Sequence, residues 1–175
     1  MAGENNIQER TINYRVYKDG VDYLGTASVE LPEFAAMSET VSGAGIAGEV
    51  ETPLVGHFEA MSMTLSWRTI EKNAVDLMEH KAHAIDLRSS QQVYDSATGT
   101  YSTVAVRFSL KIVPKTTSLG SLEPNAQTDT EQEFSVNYLK MWVGGKEMVE
   151  YDPFNYIYKV KGKEQLASVR KDLGL

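Results

Sequence analysis

Cysteine is missing from all 175 residues. Disulfides and thiolate metal sites are therefore excluded, and the chain suits a reducing compartment. Long apolar runs are missing as well. Nothing approaches the roughly 20 residues that span a bilayer, so no membrane anchor is expected. Met1 to Arg10 has neither the basic start nor the apolar stretch of a signal peptide, and synthesis in the cytoplasm is the default expectation. Basic residues are outnumbered, 17 against 24 acidic ones, for a net charge of -7. Such a surface repels a phosphate backbone and argues against stable nucleic-acid binding, leaving only weak, non-sticking contact with DNA.

Catalytic signatures are also scarce. Gly43-Ala44-Gly45 with Gly48 suggests a phosphate loop, but the Lys-Ser/Thr pair of a P-loop is absent and no buried strand precedes it. A mobile loop is the plainer reading. His80 and His83, with Glu79 beside them, sit at the end of an expected helix without a third ligand, and solvated surface histidines explain them. His57 stands alone, as an ordinary packing residue. Carboxylates such as Glu131 and Glu133 are scattered along strand faces, where solvation is the normal explanation. No serine lies in a nucleophile elbow. The aromatics of Tyr151 to Tyr158 read as core or interface packing, since their acidic flanks disfavour a base-stacking platform. No cofactor, no metal and no catalysis are expected.

What the chain does have is apolar content, 42%, enough for a real core in one domain spanning 1–175. Its dominant rhythm is alternation with period two. Val104, Val106, Phe108, Leu110 and Ile112 alternate with Ala105, Arg107, Ser109 and Lys111. Met61, Met63, Leu65 and Trp67 alternate with Ser62, Thr64 and Ser66. Phe134, Val136 and Tyr138 alternate with Glu133, Ser135 and Asn137, and Ile12, Tyr14 and Val16 with Asn13, Arg15 and Tyr17. Asp19-Gly20 and Gly144-Gly145 read as two-residue hairpin turns, and Asp95 to Thr100 as a longer one. The spacing predicts an amphipathic helix over Ile70 to about Lys81, capped by Thr69, and a short second helix on the stripe Leu166, Val169, Leu173 that stops at Gly174. The fold class is mainly β: packed antiparallel sheets, sandwich-like or barrel-like, with one flanking helix and a short C-terminal helix. Long loops are expected at about 38–56 and 115–130.

The ordered set of turns and strands resembles the major tail tube proteins of contractile-tailed bacteriophages and of R-type phage-tail-like bacteriocins. It runs from about Asn13 to Leu175: Asp19-Gly20, Tyr23-Leu24-Gly25, Leu31-Pro32, the glycine-rich Ser42 to Gly48, the strand Met61 to Trp67, Tyr138-Leu139-Lys140 before Gly144-Gly145, then Asn155, Val160-Lys161-Gly162, Gln165-Leu166, Arg170 and Leu173-Gly174-Leu175. The resemblance implies hexameric rings stacked into a hollow tube inside a contractile sheath. The tube belongs to a virion tail or a tailocin particle and conducts DNA or opens an envelope. It also implies partners: other copies of the chain, the sheath protein, the tape measure protein, the baseplate hub and a tail terminator. On this reading Val41, Ser42, Gly43, Ala44, Gly45, Ile46, Gly48 and Glu51 form a loop that reaches a neighbouring subunit or ring. Ser62, Thr64, Ser66, Arg107, Ser109, Lys111, Glu133, Ser135 and Asn137 face the lumen, with Glu133 the expected neutralising partner of Arg107 and Lys111; the alternative is that the sheet carrying Arg107 faces outward towards the sheath and only part of the set lines the channel. The competing readings are a monomeric β-sandwich module binding sugar or peptide, which needs an exposed aromatic groove, and a hydrolase, which needs a convergent acid–base pair.

Overall fold

A computed structural model describes residues 5–25 and 28–175; Glu4 and the rest of the first four residues of the polar N-terminus lie outside them. In chain order the elements are β1 (Asn6–Lys18), β2 (Asp22–Tyr23), β3 (Ser28–Glu30), β4 (Ala36–Ser42), β5 (Glu49–Phe58), β6 (Ser62–Trp67), α1 (Lys72–Asp76), β7 (His83–Asp95), β8 (Thr100–Ser118), β9 (Thr130–Val143), β10 (Lys146–Asp152), β11 (Ile157–Val160), β12 (Lys163–Glu164) and α2 (Ala167–Leu173).

All strand pairings among the described residues are antiparallel, and ten strands form one sheet in the order β12-β11-β10-β9-β8-β7-β1-β2. Strand β9 is long enough to serve two partners on its second edge. Thr130 to Ser135 pairs with β6, which in turn pairs with β3, and Leu139 to Val143 pairs with β10. The expected turns hold this order. Gly144 and Gly145, at φ 57° and 78°, close β9 onto β10 as a two-residue turn. Asp95 to Thr100 joins β7 to β8. The Asp19-Gly20 turn is one residue longer than expected, because Lys18 pairs with Asp22 and the Val21 N–H donates to Lys18 O.

The apolar faces of the alternating strands form one core: Val16, Met63, Leu65, Trp67, Ile85, Leu87, Leu110, Ile112, Phe134 and Val136 are buried together. Helix α1 lies on it through Ala74 and Leu77. It is much shorter than the expected 70–81, and Glu71, not Thr69, stands at its N-cap without a side-chain bond. The physical reason is a buried side chain. Gln132, fully enclosed on β9, donates from Nε2 to Ala74 O at 2.9 Å, taking the carbonyl that a further turn would need, and the Met78 N–H falls back to Val75 O. Helix α2 ends at Gly174 in the left-handed conformation as expected.

Neither expected long loop has the expected form. Most of 38–56 is a hairpin of β4 and β5, and only 43–48 lies outside the two strands. The second is shortened, since β8 runs on to Ser118 and β9 starts at Thr130. What is left is held by the Ser121 N–H on Thr128 O, the Thr128 N–H on Arg68 O and the Thr130 hydroxyl on Leu119 O.

Candidate functional site

Directly opposed residues on neighbouring strands share a sheet face, so the register places the polar set. Ser62, Thr64 and Ser66 oppose Ser135, Glu133 and Glu131; Ser135 opposes Val113 on β8; and Val113 alternates with Lys111, Ser109 and Arg107. The serines and threonine of β6, the cations of β8, Glu133 and Ser135 therefore lie on one continuous face of one sheet. Asn137 is the exception. It is the extra residue of a bulge, since Lys111 opposes Tyr138 while Ile112 opposes Val136. The bulge also corrects the expected phase of β9: beyond it Tyr138 joins the polar face and Leu139 enters the core.

On that face one cross-strand row crosses the whole sheet: Tyr23, Tyr17, Asp86, Ser109, Lys140, Glu150, Lys159 and Glu164, each opposite the next. The charges in it are joined in space. Lys140 Nζ lies 2.9 Å from Glu147 and 3.6 Å from Glu150, and Lys159 Nζ lies 2.9 Å from Glu150. The Tyr138 hydroxyl donates to Glu150 at 3.0 Å. Burial pushes Glu150 upward, but the bonds from Lys159 and Tyr138 and the charge of Lys140 outweigh it, and its carboxyl sits below the ordinary range. The Tyr138 hydroxyl is pushed well up by burial and by its bond to the Glu150 carboxylate.

The neutralising partner of Arg107 differs from the one expected. Arg107 forks onto Asp86, with Nε 3.1 Å and Nη2 2.8 Å from Oδ2, and Arg88 Nη2 reaches the same oxygen at 3.1 Å. Asp86 is only 4% exposed under these two guanidiniums. Glu133 instead bonds Lys115 at 2.7 Å, which holds its carboxyl below the ordinary range, because the register sets Glu133 beyond the bulge and opposite Thr116. Lys111 lies over the Tyr138 ring, 5.6 Å from its centroid.

The residues expected to reach a neighbour stand together on the hairpin. Val41 and Ser42 end β4, Gly43, Ala44, Gly45, Ile46 and Gly48 form the tip, and Glu51 opposes Thr40 and accepts a bond from the Ser38 hydroxyl. β4 and β5 pair only with each other among the described residues, and Met37, Val41, Ile46, Val50, Leu54 and Val55 are exposed. A lone two-stranded hairpin is marginal in water, so its base matters. There the Phe58 ring meets Phe34, Tyr151 and Tyr158 edge-on at 5.0–5.2 Å. Tyr151 and Tyr158 thus serve packing.

His83 is not a surface histidine. It is 2% exposed, with its ring Nε2 2.9 Å from Glu79 O, while His80 stays outside. His57 Nδ1 lies 3.0 Å from Val55 O in the hairpin base. No group of three His, Asp or Glu side chains among the described residues could hold a metal. No helix among them is long and apolar enough to cross a membrane.

Sequence reasoning missed Asp86, Arg88, Lys140, Glu147, Glu150 and Lys159. The signal for β7 was present, since Ile85 and Leu87 alternate with Asp86 and Arg88 before the pattern dissolves into Ser89, Ser90, Gln91 and Gln92. The partners on β9 and β10 depend on the bulge, which alternation does not reveal.

Comparison with known proteins gives one consistent result. The profile of the phage tail tube protein FII family matches residues 8–174. The tail tube protein of Escherichia phage P2 is 31% identical over 172 residues, covering 91% of this chain and 94% of its own length. Two solved structures share the fold. One is the sheath/tube terminator of an extracellular contractile injection system (PVC) in the extended state, with TM-score 0.52 and 15% identity over 75% of this chain and 94% of its own. The other is the sheath–tube complex of such a system, with TM-score 0.50 and 13% identity over 74% and 88%.

Proposed function

Because the chain belongs to the phage tail tube protein FII family, a structural component of contractile tails, we propose that it forms homohexameric rings that stack into the inner tube of such a tail. The observation that carries this reading is the single polar face described above, continuous over one sheet whose β1 edge, among the described residues, pairs with β7 alone from Asn6 to Thr11. A two-faced sheet with an open edge is a site for strand addition, and ring closure removes the edge. In this reading the polar face, with Ser62, Thr64, Ser66, Arg107, Ser109, Lys111, Glu133 and Ser135, lines the lumen, and Asn137 stands at its bulge. Hydrated serines and paired charges offer few apolar handholds to what passes.

The exposed hairpin, with Val41 to Gly48 and Glu51, reaches a neighbouring subunit or ring, where its apolar side chains leave water. The sheath protein surrounds the tube, the tape measure protein fills it during assembly, and the baseplate hub and terminator close its ends. The tube conducts DNA in a phage or opens an envelope in a bacteriocin. The chain acts as one domain, without catalysis or cofactor, made in the cytoplasm of the bacterial host.

Light scattering and negative-stain microscopy of the purified chain test assembly, with six-membered rings or tubes expected. A stable monomer at high concentration would overturn the reading. With no native cysteine, Ser109→Cys and Ser135→Cys report the wall: intact tubes should protect both from a thiol reagent too bulky to enter. Fast labelling along intact tubes would put this face outside.

A further inference from the structure

Next to that row lies one with three like charges in succession. Arg15 on β1 opposes Arg88 on β7, Arg88 opposes Arg107 on β8, and Arg107 opposes Trp142 on β9. Three guanidiniums stand directly across from one another on three adjacent strands, an arrangement that costs folding energy, since like charges directly opposite repel. Over residues 13–17, 84–90 and 105–111, which make up this block, the charged residues are Arg15, Arg88, Arg107 and Lys111 against Asp86 alone. The chain carries -7 overall, so this cationic block stands against the general charge.

Aromatic rings in and beside the block explain how the row is tolerated. Arg15 lies over Tyr23 at 5.4 Å, Arg88 over Tyr17 at 4.5 Å, and Arg107 over Trp142 at 5.2 Å, with Lys140 on the same indole at 5.5 Å. Each ring favours a nearby cation. The guanidiniums stay accessible all the same, since the side chains of Arg88 and Arg107 are about half exposed, 47% and 50%. Asp86 holds these two in a fixed fork, and among the described residues Arg15 has no carboxylate partner and lies beside Tyr17 and Tyr23.

We propose that the row Arg15–Arg88–Arg107 is a contact band for the phosphodiester backbone of duplex DNA. The guanidinium fork matches phosphate oxygens. At a strand spacing of about 4.8 Å the row forms a line, not a pocket, and so suits an extended polyanion. Each of these rings already carries a cation on one face, which disfavours stacking of unpaired bases there and favours a duplex over a single strand. A single carboxylate among four cations makes the contact weak and sequence-independent, a hold that salt loosens.

The band rests on the lumen reading only for what reaches it inside a particle, and the free full-length chain tests it directly. The probe is a labelled 30-base-pair duplex, with binding followed by fluorescence anisotropy from about 20 to 150 mM salt. Wild type should bind at low salt and release on salt addition. Arg15→Gln, which leaves the Asp86 fork intact, should weaken binding about five-fold and lower the salt slope by about one. Asp86→Asn, which releases two guanidiniums, should tighten it by a similar factor. Lys163→Gln with Lys171→Gln, away from the face, should change nothing. The single-stranded oligonucleotide should bind more weakly.

The proposal is overturned by absence of binding at 20 mM salt, by an Arg15→Gln variant that binds like wild type, by tighter binding of the single strand, or by poly-glutamate of matched charge binding more tightly than the duplex. That last outcome would assign the band to an acidic protein. Rings without Arg15-dependent binding would remove the band and leave the tube; Arg15-dependent binding without rings would do the reverse.

Discussion

Replacing Gln132 with leucine tests whether the fold depends on the buried amide that joins α1 to the sheet. Gln132 is fully enclosed. Its Oε1 accepts the Trp67 indole N–H at 3.0 Å, and its Nε2 donates to Ala74 O at 2.9 Å and to the Thr117 hydroxyl at 3.4 Å. Leucine is close in volume, so little cavity cost enters. What remains is an indole N–H and a helix carbonyl left dry and unbonded, at about 1–3 kcal/mol each. The Thr117 hydroxyl, only partly buried, can turn to water. The added apolar burial returns about 1 kcal/mol. The net expected loss is about 1–5 kcal/mol, against the 5–15 kcal/mol typical of a domain. Urea unfolding of the free chain, followed by tryptophan fluorescence, should show a lower midpoint at unchanged slope.

Gln132→Glu separates the two halves of the relay. A protonated glutamic acid can still donate to Ala74 O, while a carboxylate cannot and is buried without a cation. Burial raises such a carboxyl above its unfolded value, so the variant should stay near wild type below that value and lose stability, relative to wild type, as pH rises through the folded one. A Gln132→Leu loss under 0.5 kcal/mol, or a Gln132→Glu loss equal at pH 4 and pH 7, would refute the argument.

Glu150 carries the pH dependence on the acid side. Its folded carboxyl lies below the ordinary value of 4.5, so its contribution is complete above that pH and disappears as pH falls through the folded value. Glu150→Gln should therefore flatten the decline of stability below pH 4.5, measured by urea midpoints across pH 3–7. Deleting Val41 to Val50 should leave the free energy of unfolding within about 1 kcal/mol of wild type, because β4 and β5 pair with no other strand among the described residues, and should abolish tube growth under the microscope. Normal tubes from that variant would refute the role given to the hairpin.

The strands legible in the sequence were those with one face in the core and one outside. Met61 to Trp67 and Val104 to Val113 alternate because every second residue is buried, and both sit where alternation put them. β4 and β5 were invisible for the same reason. Both faces of the hairpin are exposed in the single chain, so no burial imposes a period on them, and the glycines of the tip read as loop. Helix α1 was overextended because Ile70 and Met78 keep helical spacing yet remain exposed; spacing does not report that Gln132 takes the Ala74 carbonyl. The polar set was legible residue by residue, but its ion pairs were not. Asp86 reaches Arg107 diagonally across two strands, and such diagonals depend on register, which periodicity leaves open.

The bulge at Asn137 sets that register on β9 and thereby divides the polar face in two. Before it, Glu131, Glu133 and Ser135 oppose the hydroxyls of β6; beyond it, Tyr138, Lys140 and Trp142 oppose Lys111, Ser109 and Arg107 of β8. Without the extra residue, alternation from Val136 would turn Tyr138, Lys140 and Trp142 into the core and expose Leu139 and Met141. Lys140 could then reach neither Glu147 nor Glu150, and Trp142 would no longer lie under Arg107. One inserted residue thus decides whether the far half of the sheet presents ion pairs or apolar side chains on that face. The sequence reading placed Tyr138 with Phe134 and Val136 because a pattern of period two contains no sign of an insertion. The bulge is visible only in the pairing itself, where Lys111 and Ile112 are neighbours on β8 while their partners, Tyr138 and Val136, are not neighbours on β9.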